Sequence, residues 1–524
     1  MVSWPVAAHY RAQARVADYN RQLKARGEKL TIAELAPPPS AEGIRGSDAL
    51  FRAARQMLVL SANISNLPPT MKYLAPGHAL VAWQQATLPT PDSTNIWPGL
   101  AAVLAANADD LADIRDALQV SILSFDLDYH QGFNLLLPHL SRLKTISQWL
   151  SADAIHCLHE GRVTNAWDNL LALAQLVERD KGDPVVISLL VRVSMGSIAF
   201  NATWEALQAP ACPEEQLRQV QAAWESLDLL THMEAAFAMT RAVEAEGLAA
   251  WRESYSNLQG GPFGSGVGSS GMAELAQLTK DVFNDPQEGI KALAQRYPGY
   301  WCWRYWQSYD EELASAQTIQ AALDAVRKTR KEHALAPARE QFDRAEAHVQ
   351  QVHPPARNWV GYSVAFGGQI NRILSRLTIL EIERSLLVTA IALKRFHLKH
   401  GSYPAELSAL TPEILREPWR DPMDGKPLRY RLNPDGSFLL YSVGDDGVDN
   451  GGDPSLPKPS SDGSAKRWWQ ARDAVWPQPA TREEVFADFQ KLARERHTTG
   501  LLPPQPFQRY DLPPRANVTT NIPR

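Results

Sequence analysis

Cysteine is scarce in this chain. Only three of its 524 residues are cysteines (Cys157, Cys212 and Cys302), and no two of them stand in CxxC spacing. A structural zinc site needs closely spaced ligands, and a disulfide framework needs an even set of thiols. The sequence therefore indicates neither device, and a chain of this length offers ample material for a hydrophobic core.

Long apolar runs and runs of one charge are also missing. No stretch approaches the ~18 apolar residues that a membrane span needs, and the first twenty residues lack a basic segment followed by an apolar one. The net charge is −5 with no sustained basic run, whereas nucleic-acid binding needs clustered Lys and Arg. We therefore predict no transmembrane segment, no export signal in the chain as written, and no nucleic-acid partner.

Common catalytic motifs are absent as well, since the sequence has no nucleophile elbow, P-loop, dinucleotide fingerprint or HExxH. The segment FDLDYHQG (125–132) places Asp126, Asp128 and His130 together. Such residues can serve acid–base or metal chemistry, or they can form a loop entry that caps the next helix. These three residues are the catalytic candidates of our alternative hypothesis, a hydrolase-type enzyme with a cleft in the helical domain.

The residues that are present indicate a globular, mainly helical protein. Hydrophobic residues make up 44 % and charged residues 21 %, and apolar residues recur at three- and four-residue spacing over most of the chain. We predict a mainly α fold of stacked helical hairpins with a small C-terminal α+β module. The predicted parts are an N-terminal helix with a Pro-rich link (1–46), a helical array (47–360) with a mobile Gly-rich loop (260–271), a helix-plus-hairpin module (364–455), and a Pro-rich arm with one helix (456–524).

The C-terminal module shows an ordered series of signals. A helix runs into GSYP (401–404), the bend WRDPMDGKPLRY (419–430) follows, and the only strand pairing that we predict joins 428–432 to 437–442. A loop rich in Asp, Asn and Gly ends the series. This order resembles the globular end of the major pseudopilin of type II secretion, and the resemblance implies a pseudopilin-like fold for this part of the chain.

The loop at 442–453 is the predicted metal site, formed by Asp445, Asp446, Asp449, Asn450 and Asp453. Calcium takes six to eight oxygen ligands, and carboxylates packed this closely would repel one another without a cation. The spacing is not that of an EF-hand, because no Glu stands at the twelfth position. The alternative is a solvated Asp/Gly turn without metal. By the resemblance, Asp446 falls where the pseudopilin calcium loop has its Asp.

A wider resemblance rests on four short patterns. They are GEKLTIAELAPPP (27–39), FDLDYHQGFNLLLPHLSRLK (125–144), the helical pair around Gly161, and RDAVWPQPAT (472–481). In this order they resemble an uncharacterised family of large envelope proteins of Planctomycetes and Verrucomicrobia. The resemblance implies a cell-envelope or periplasmic location. The family's members typically begin with a membrane anchor, and this chain as written shows none, which leaves its compartment open.

From these signals we favour a non-enzymatic scaffold or interaction protein with protein partners, possessing a calcium-stabilised pseudopilin-like module in an envelope or secretion-related assembly. A true pseudopilin is not indicated. Pilins polymerise through an apolar N-terminal helix, whereas here the corresponding helix is internal and carries Glu381, Glu383, Arg384 and Lys394. The sequence leaves the partner and the oligomeric state open.

Overall fold

The computed structural model describes most of the chain. The described residues are 3–38, 40–55, 57, 68, 70–119, 123–180, 182–253, 303–352, 362–444, 446–456 and 468–498. The predicted Gly-rich loop at 260–271 and the last part of the Pro-rich arm lie outside these ranges, as does Asp445 of the predicted calcium loop.

The described chain is mainly helical, with a few short strands in two small sheets, which confirms the predicted class at that level. The helices are α1 (Ser3–Ala25), α2 (Ile32–Leu35), α3 (Ala41–Ala53), α4 (Trp97–Ala106), α5 (Ala108–Ala117), α6 (Pro138–His159), α7 (Val163–Arg179), α8 (Val186–Leu207), α9 (Glu214–Glu225), α10 (Leu229–Glu253), α11 (Ser308–Glu332), α12 (Leu335–Val352), α13 (Tyr362–His400) and α14 (Arg482–Thr498).

Local sequence signals account for several helix boundaries. The predicted break between two helices falls at Gly161, which takes a left-handed backbone angle (φ 75°) that glycine adopts without strain. In α7 the apolar residues at three- and four-residue spacing, such as Leu170 and Leu173, are fully buried. The Ala336-Pro337 step predicts an interruption of the charged helix over 306–350, but the chain breaks at His333 (φ 55°). Pro337 instead lies in the first turn of α12, where its missing N–H costs no hydrogen bond.

Two three-stranded sheets complete the fold. The strands are β1 (Tyr73–Ala75), β2 (His78–Ala79), β3 (Arg429–Leu432), β4 (Phe438–Ser442), β5 (Ala474–Val475) and β6 (Gln478–Pro479). The first sheet has the order β1-β2-β6, with β2 and β6 parallel, and the second has the antiparallel order β3-β4-β5. The predicted β3–β4 hairpin, which we expected to be the only antiparallel pairing of note, is confirmed. The shorter pairings of β1, β2, β5 and β6 were not predicted. The missed strands are only two or three residues long, too short to show an alternating pattern.

One hydrophobic core joins the helical part to the C-terminal module. It extends from Leu50 in α3 to Phe489 in α14 and includes the buried face of α13. Helix α13 packs against α8, α9 and α11 as well as against β4. It lies close to α8 at Gly196, where an added Cβ would lie 2.7 Å from the Leu380 side chain. Described residues on both sides of the predicted boundary between 47–360 and 364–455 contribute to this core, and the division into these two parts stays a prediction.

Helix α8 lies at the centre of this core. Among the described helices, α8 is long and apolar enough to cross a membrane. However, 56 % of its most apolar 18-residue stretch is buried inside the protein, as in a core helix. Near its end, the Glu205 carboxylate accepts the backbone N–H of Met71 (3.1 Å) and of Ala82 (3.0 Å). These bonds fix both sides of the β1–β2 hairpin against α8.

Candidate functional site

A cavity of about 1260 Å³ lies where the helical part meets the C-terminal module. Its walls come from β1, α8, α12, α13, β5 and the segments on either side of residues 457–467. The Gly196–Leu380 contact holds α8 and α13 together at this cavity, and the Glu205 hydrogen bonds fix the hairpin that carries Tyr73. The cavity thus depends on parts of the chain far apart in sequence.

A small polar group lines the inner wall of this cavity. The Ser197 hydroxyl of α8 donates a hydrogen bond of 2.9 Å to the Glu383 carboxyl of α13. Burial raises the pKa of Glu383 to about 8, and the bond from Ser197 only partly offsets that effect. Tyr73 also lines the cavity, and its hydroxyl is buried and has no hydrogen-bond partner among the described residues. Burial first, and then the Glu383 charge, raises the pKa of Tyr73 well above 10, so near neutral pH the group consists largely of uncharged donors and acceptors.

Arginines stand at the outer part of the same cavity. Arg372 and Arg376 lie one turn apart on α13 and are exposed, and Arg339 of α12 donates to the Ser375 hydroxyl at 3.2 Å. Within the described ranges, neither Arg372 nor Arg376 has a carboxylate partner. The cavity is therefore cationic at one end and neutral and polar at the other.

The predicted calcium loop has a different organisation from a cation cage. Its centre is Asp473, a residue that our prediction did not include, which comes from the segment before β5. The fully buried Asp473 carboxylate accepts the backbone N–H of Asn450 (3.1 Å), Gly452 (2.8 Å) and Asp453 (3.0 Å). Around this point the loop turns N–H groups inward, whereas a calcium ion needs oxygens directed at it.

The predicted metal ligands themselves have protein partners. Asp449 accepts from the Tyr441 hydroxyl (2.9 Å) and the Gly451 N–H (3.0 Å), which lowers its pKa. Asp453 accepts from the Ser455 N–H at 2.9 Å, and that bond likewise lowers its pKa. The exposed Asp446 accepts from the Val448 N–H at 2.9 Å.

The remaining predicted ligands do not complete a cage in this conformation. The Asn450 side-chain amide donates to the Val448 carbonyl at 2.9 Å, and Asp445 lies outside the described residues. Among the described side chains, no group of three or more His, Cys, Asp or Glu is placed to hold a metal ion. Calcium binding by this loop stays a prediction.

A second buried carboxylate, that of Asp421, holds the bend before β3. Buried Asp421 accepts from the Ser442 hydroxyl (2.7 Å) and the Val443 N–H (2.8 Å), and Arg429 donates to it at 2.9 Å. The bend and the start of the loop are thereby joined across β4. The Asp-Pro signal in the sequence is thus explained by structure rather than by ligand binding.

The predicted catalytic residues are not brought together in a cleft. Asp126, Asp128 and His130 are all exposed, and Asp128 caps the turn that follows by accepting the His130 N–H at 3.1 Å. The capping alternative therefore describes Asp128, and none of the three residues lines the large cavity.

Tyr129, between Asp128 and His130, contacts a buried pair that the sequence analysis did not identify. This pair is formed by His139 and Asp183. His139 bonds the Asp183 carboxylate at 2.8 Å, with 5 % and 3 % of the two side chains exposed. The Tyr129 hydroxyl donates to the same carboxylate at 3.3 Å, and burial raises the pKa of Tyr129. Phe125 stacks on the His139 ring at 4.0 Å. The cluster fixes the 125–132 loop on α6, and no cavity described above reaches it.

Comparison of the chain with family models, with curated proteins and with solved structures finds no match. Both resemblances given in the sequence analysis therefore rest on the quoted sequence patterns alone, and the pseudopilin-like fold of residues 364–455 stays a prediction.

Proposed function

We propose that this chain is a non-enzymatic binding protein, a scaffold that holds a protein or small-molecule partner in the cavity between its helical part and its C-terminal module. The observation that supports this proposal is the cavity itself, whose volume exceeds that of most ligand sites and whose walls come from both parts. Following the resemblances, we place the protein in an envelope or secretion-related assembly, with calcium binding by the loop at 442–453 as a further part of the proposal.

The shared core supports a scaffold role. Helix α13 contributes both to the cavity wall and to the core that it shares with the module, so a partner held in the cavity would contact the same helix that carries the module. The alternative, a hydrolase-type enzyme that uses Asp126, Asp128 and His130, gains no support, since these residues lie on an exposed loop outside the cavity.

The proposal is tested by blocking the cavity. Asn201 of α8 lines it, so Asn201→Trp should fill part of the space. The exposed Asp109 of α5 offers a matched control, Asp109→Trp, far from the cavity lining. Each protein is purified from its own host and studied by native mass spectrometry. We expect wild type and the control to contain a bound occupant, and we expect Asn201→Trp to contain at least tenfold less of it. Equal occupancy of the three folded proteins, or no occupant on any, would overturn the proposal.

A further inference from the structure

The wall that α13 contributes to the cavity changes character along its length. Arg372, Arg376, Ile379 and Glu383 all line the cavity, and their spacing of four, three and four residues places them on one face of the helix. At a rise of 1.5 Å per residue, Arg376 stands about 10 Å and Arg372 about 16 Å from Glu383 along the axis. The cavity is thus cationic, then apolar, then polar and neutral along one line.

Guanidinium groups form the cationic end of the cavity. Arg372 and Arg376 are exposed and form no ion pair with any described residue, and Arg339 adds a third guanidinium nearby. Glu346 of α12, an acidic residue that contacts this part of α13, accepts a hydrogen bond from the Asn371 amide at 3.1 Å. Planar guanidinium groups bind carboxylates in paired hydrogen bonds, so this end suits a carboxylate.

The middle and inner parts require other chemistry. Leu190 and Val193 of α8 face the cavity together with Ile379 and Ile382 of α13, which suits a hydrocarbon chain. At the inner end, the Tyr73 hydroxyl is buried without a partner. A buried hydroxyl without a hydrogen bond destabilises the folded protein, and a ligand hydroxyl beside Tyr73 would supply the missing bond.

We propose that the cavity binds an amphipathic organic anion, a medium-chain carboxylic acid whose carboxylate meets Arg372 and Arg376 and whose far end carries a hydroxyl beside Tyr73. A separation of 10 to 16 Å corresponds to an extended chain of about twelve carbon atoms. This inference rests on the proposed function, because it names the occupant of the same cavity.

The test is calorimetry of the full chain with dodecanoate, 12-hydroxydodecanoate, dodecyltrimethylammonium and inorganic phosphate. We expect dodecanoate to bind at one per chain and the ammonium compound and phosphate to bind at least tenfold more weakly. The double variant Arg372→Ala/Arg376→Ala should lose at least tenfold in dodecanoate affinity. Arg344→Ala should bind as wild type does, because Arg344 is an exposed arginine of α12 paired with Glu340.

The hydroxyl is tested separately. One additional hydrogen bond predicts about three- to tenfold tighter binding of 12-hydroxydodecanoate than of dodecanoate, and Tyr73→Phe should abolish this difference without weakening dodecanoate. If wild type binds dodecanoate and 12-hydroxydodecanoate equally, the proposed hydroxyl contact beside Tyr73 is overturned. Equal binding of the ammonium compound, or dodecanoate binding that the arginine variant leaves unchanged, would overturn the anion assignment.

Failure of this inference can be told apart from failure of the proposed function. If no probe binds while an occupant still copurifies with wild type and is lost from Asn201→Trp, the cavity is a binding site and the amphipathic-anion inference is wrong. If no occupant copurifies and no probe binds, both are wrong.

Discussion

Glu383 offers a test of the cavity that needs no ligand. Burial raises its pKa from an ordinary 4.5 to about 8, so the folded protein holds a proton at this carboxyl that the unfolded chain releases at lower pH. The stabilising contribution of the neutral carboxyl is complete below about pH 4.5 and is lost as the pH rises through 8. Between pH 6 and pH 8, the linkage relation gives a loss of roughly 2 kcal/mol in the free energy of unfolding.

The variant Glu383→Gln keeps the shape and the acceptor for Ser197 but cannot ionise. We expect its free energy of unfolding to fall by about 2 kcal/mol less than that of wild type over the same interval, so that it is the more stable protein at pH 8 and above. Urea unfolding followed by tryptophan fluorescence at pH 6, 7 and 8, at constant ionic strength, measures the difference.

Other buried acids do not obscure this comparison. Burial also raises the pKa of Asp180 to about 7 and that of Glu205 to about 8, but both groups are present in wild type and variant, so their contributions cancel in the difference. Ser197→Ala removes the one side-chain bond that lowers the Glu383 pKa, and it should leave the pH dependence at least as steep as in wild type. Parallel stability curves for wild type and Glu383→Gln would refute the reasoning and place Glu383 in contact with water.

Three further predictions concern the module and its attachment. Asp473→Asn should lower the free energy of unfolding by about 3 kcal/mol, because three N–H groups lose a charged acceptor. Urea unfolding should show the same loss in calcium and in chelator. An unchanged stability would contradict the central role of this carboxylate. Millimolar calcium should raise the melting temperature of the full chain above that in chelator, because calcium at a hundred times its Kd would stabilise the fold by about 2.7 kcal/mol. Asp446→Ala should abolish this gain. Absence of a calcium heat in calorimetry would exclude the ion. Leu393→Ala should lower the free energy of unfolding by about 2–5 kcal/mol because Leu393 is fully buried. Phe396→Ala should lower it less because Phe396 is half-buried. The reverse order in chemical denaturation would show that α13 packs differently.

Elements specified by local signals were predictable from the sequence. The β3–β4 hairpin follows from the Asn-Pro-Asp-Gly turn, in which Gly436 takes φ 81°, and the α6–α7 break follows from Gly161. The helix before GSYP was predicted from its apolar spacing, although it begins earlier, at Tyr362. In each case the residues that decide the structure are neighbours in the chain.

The candidate cavity could not be predicted in the same way. Sequence analysis identified Glu381, Glu383, Arg384 and Lys394 as charges within an apolar helix but could not tell them apart. In the structure, Glu381 pairs with Arg384 at 2.9 Å and Lys394 donates to the Ala209 carbonyl, so only Glu383 is left facing the cavity. That distinction depends on which neighbouring elements supply a partner, and those elements lie far away in the sequence.

The segment from Ala474 to Pro479 has a consequence for how the chain is made. Its first strand, β5, completes the sheet of the module, and its second, β6, completes the sheet of the hairpin 400 positions earlier, where Gln478 pairs with His78. Contacts between residues so far apart form late, since a long loop must close first. During synthesis, neither sheet can be completed until this segment has left the ribosome, so the described part of the chain should reach its native state only after residue 479 has been translated.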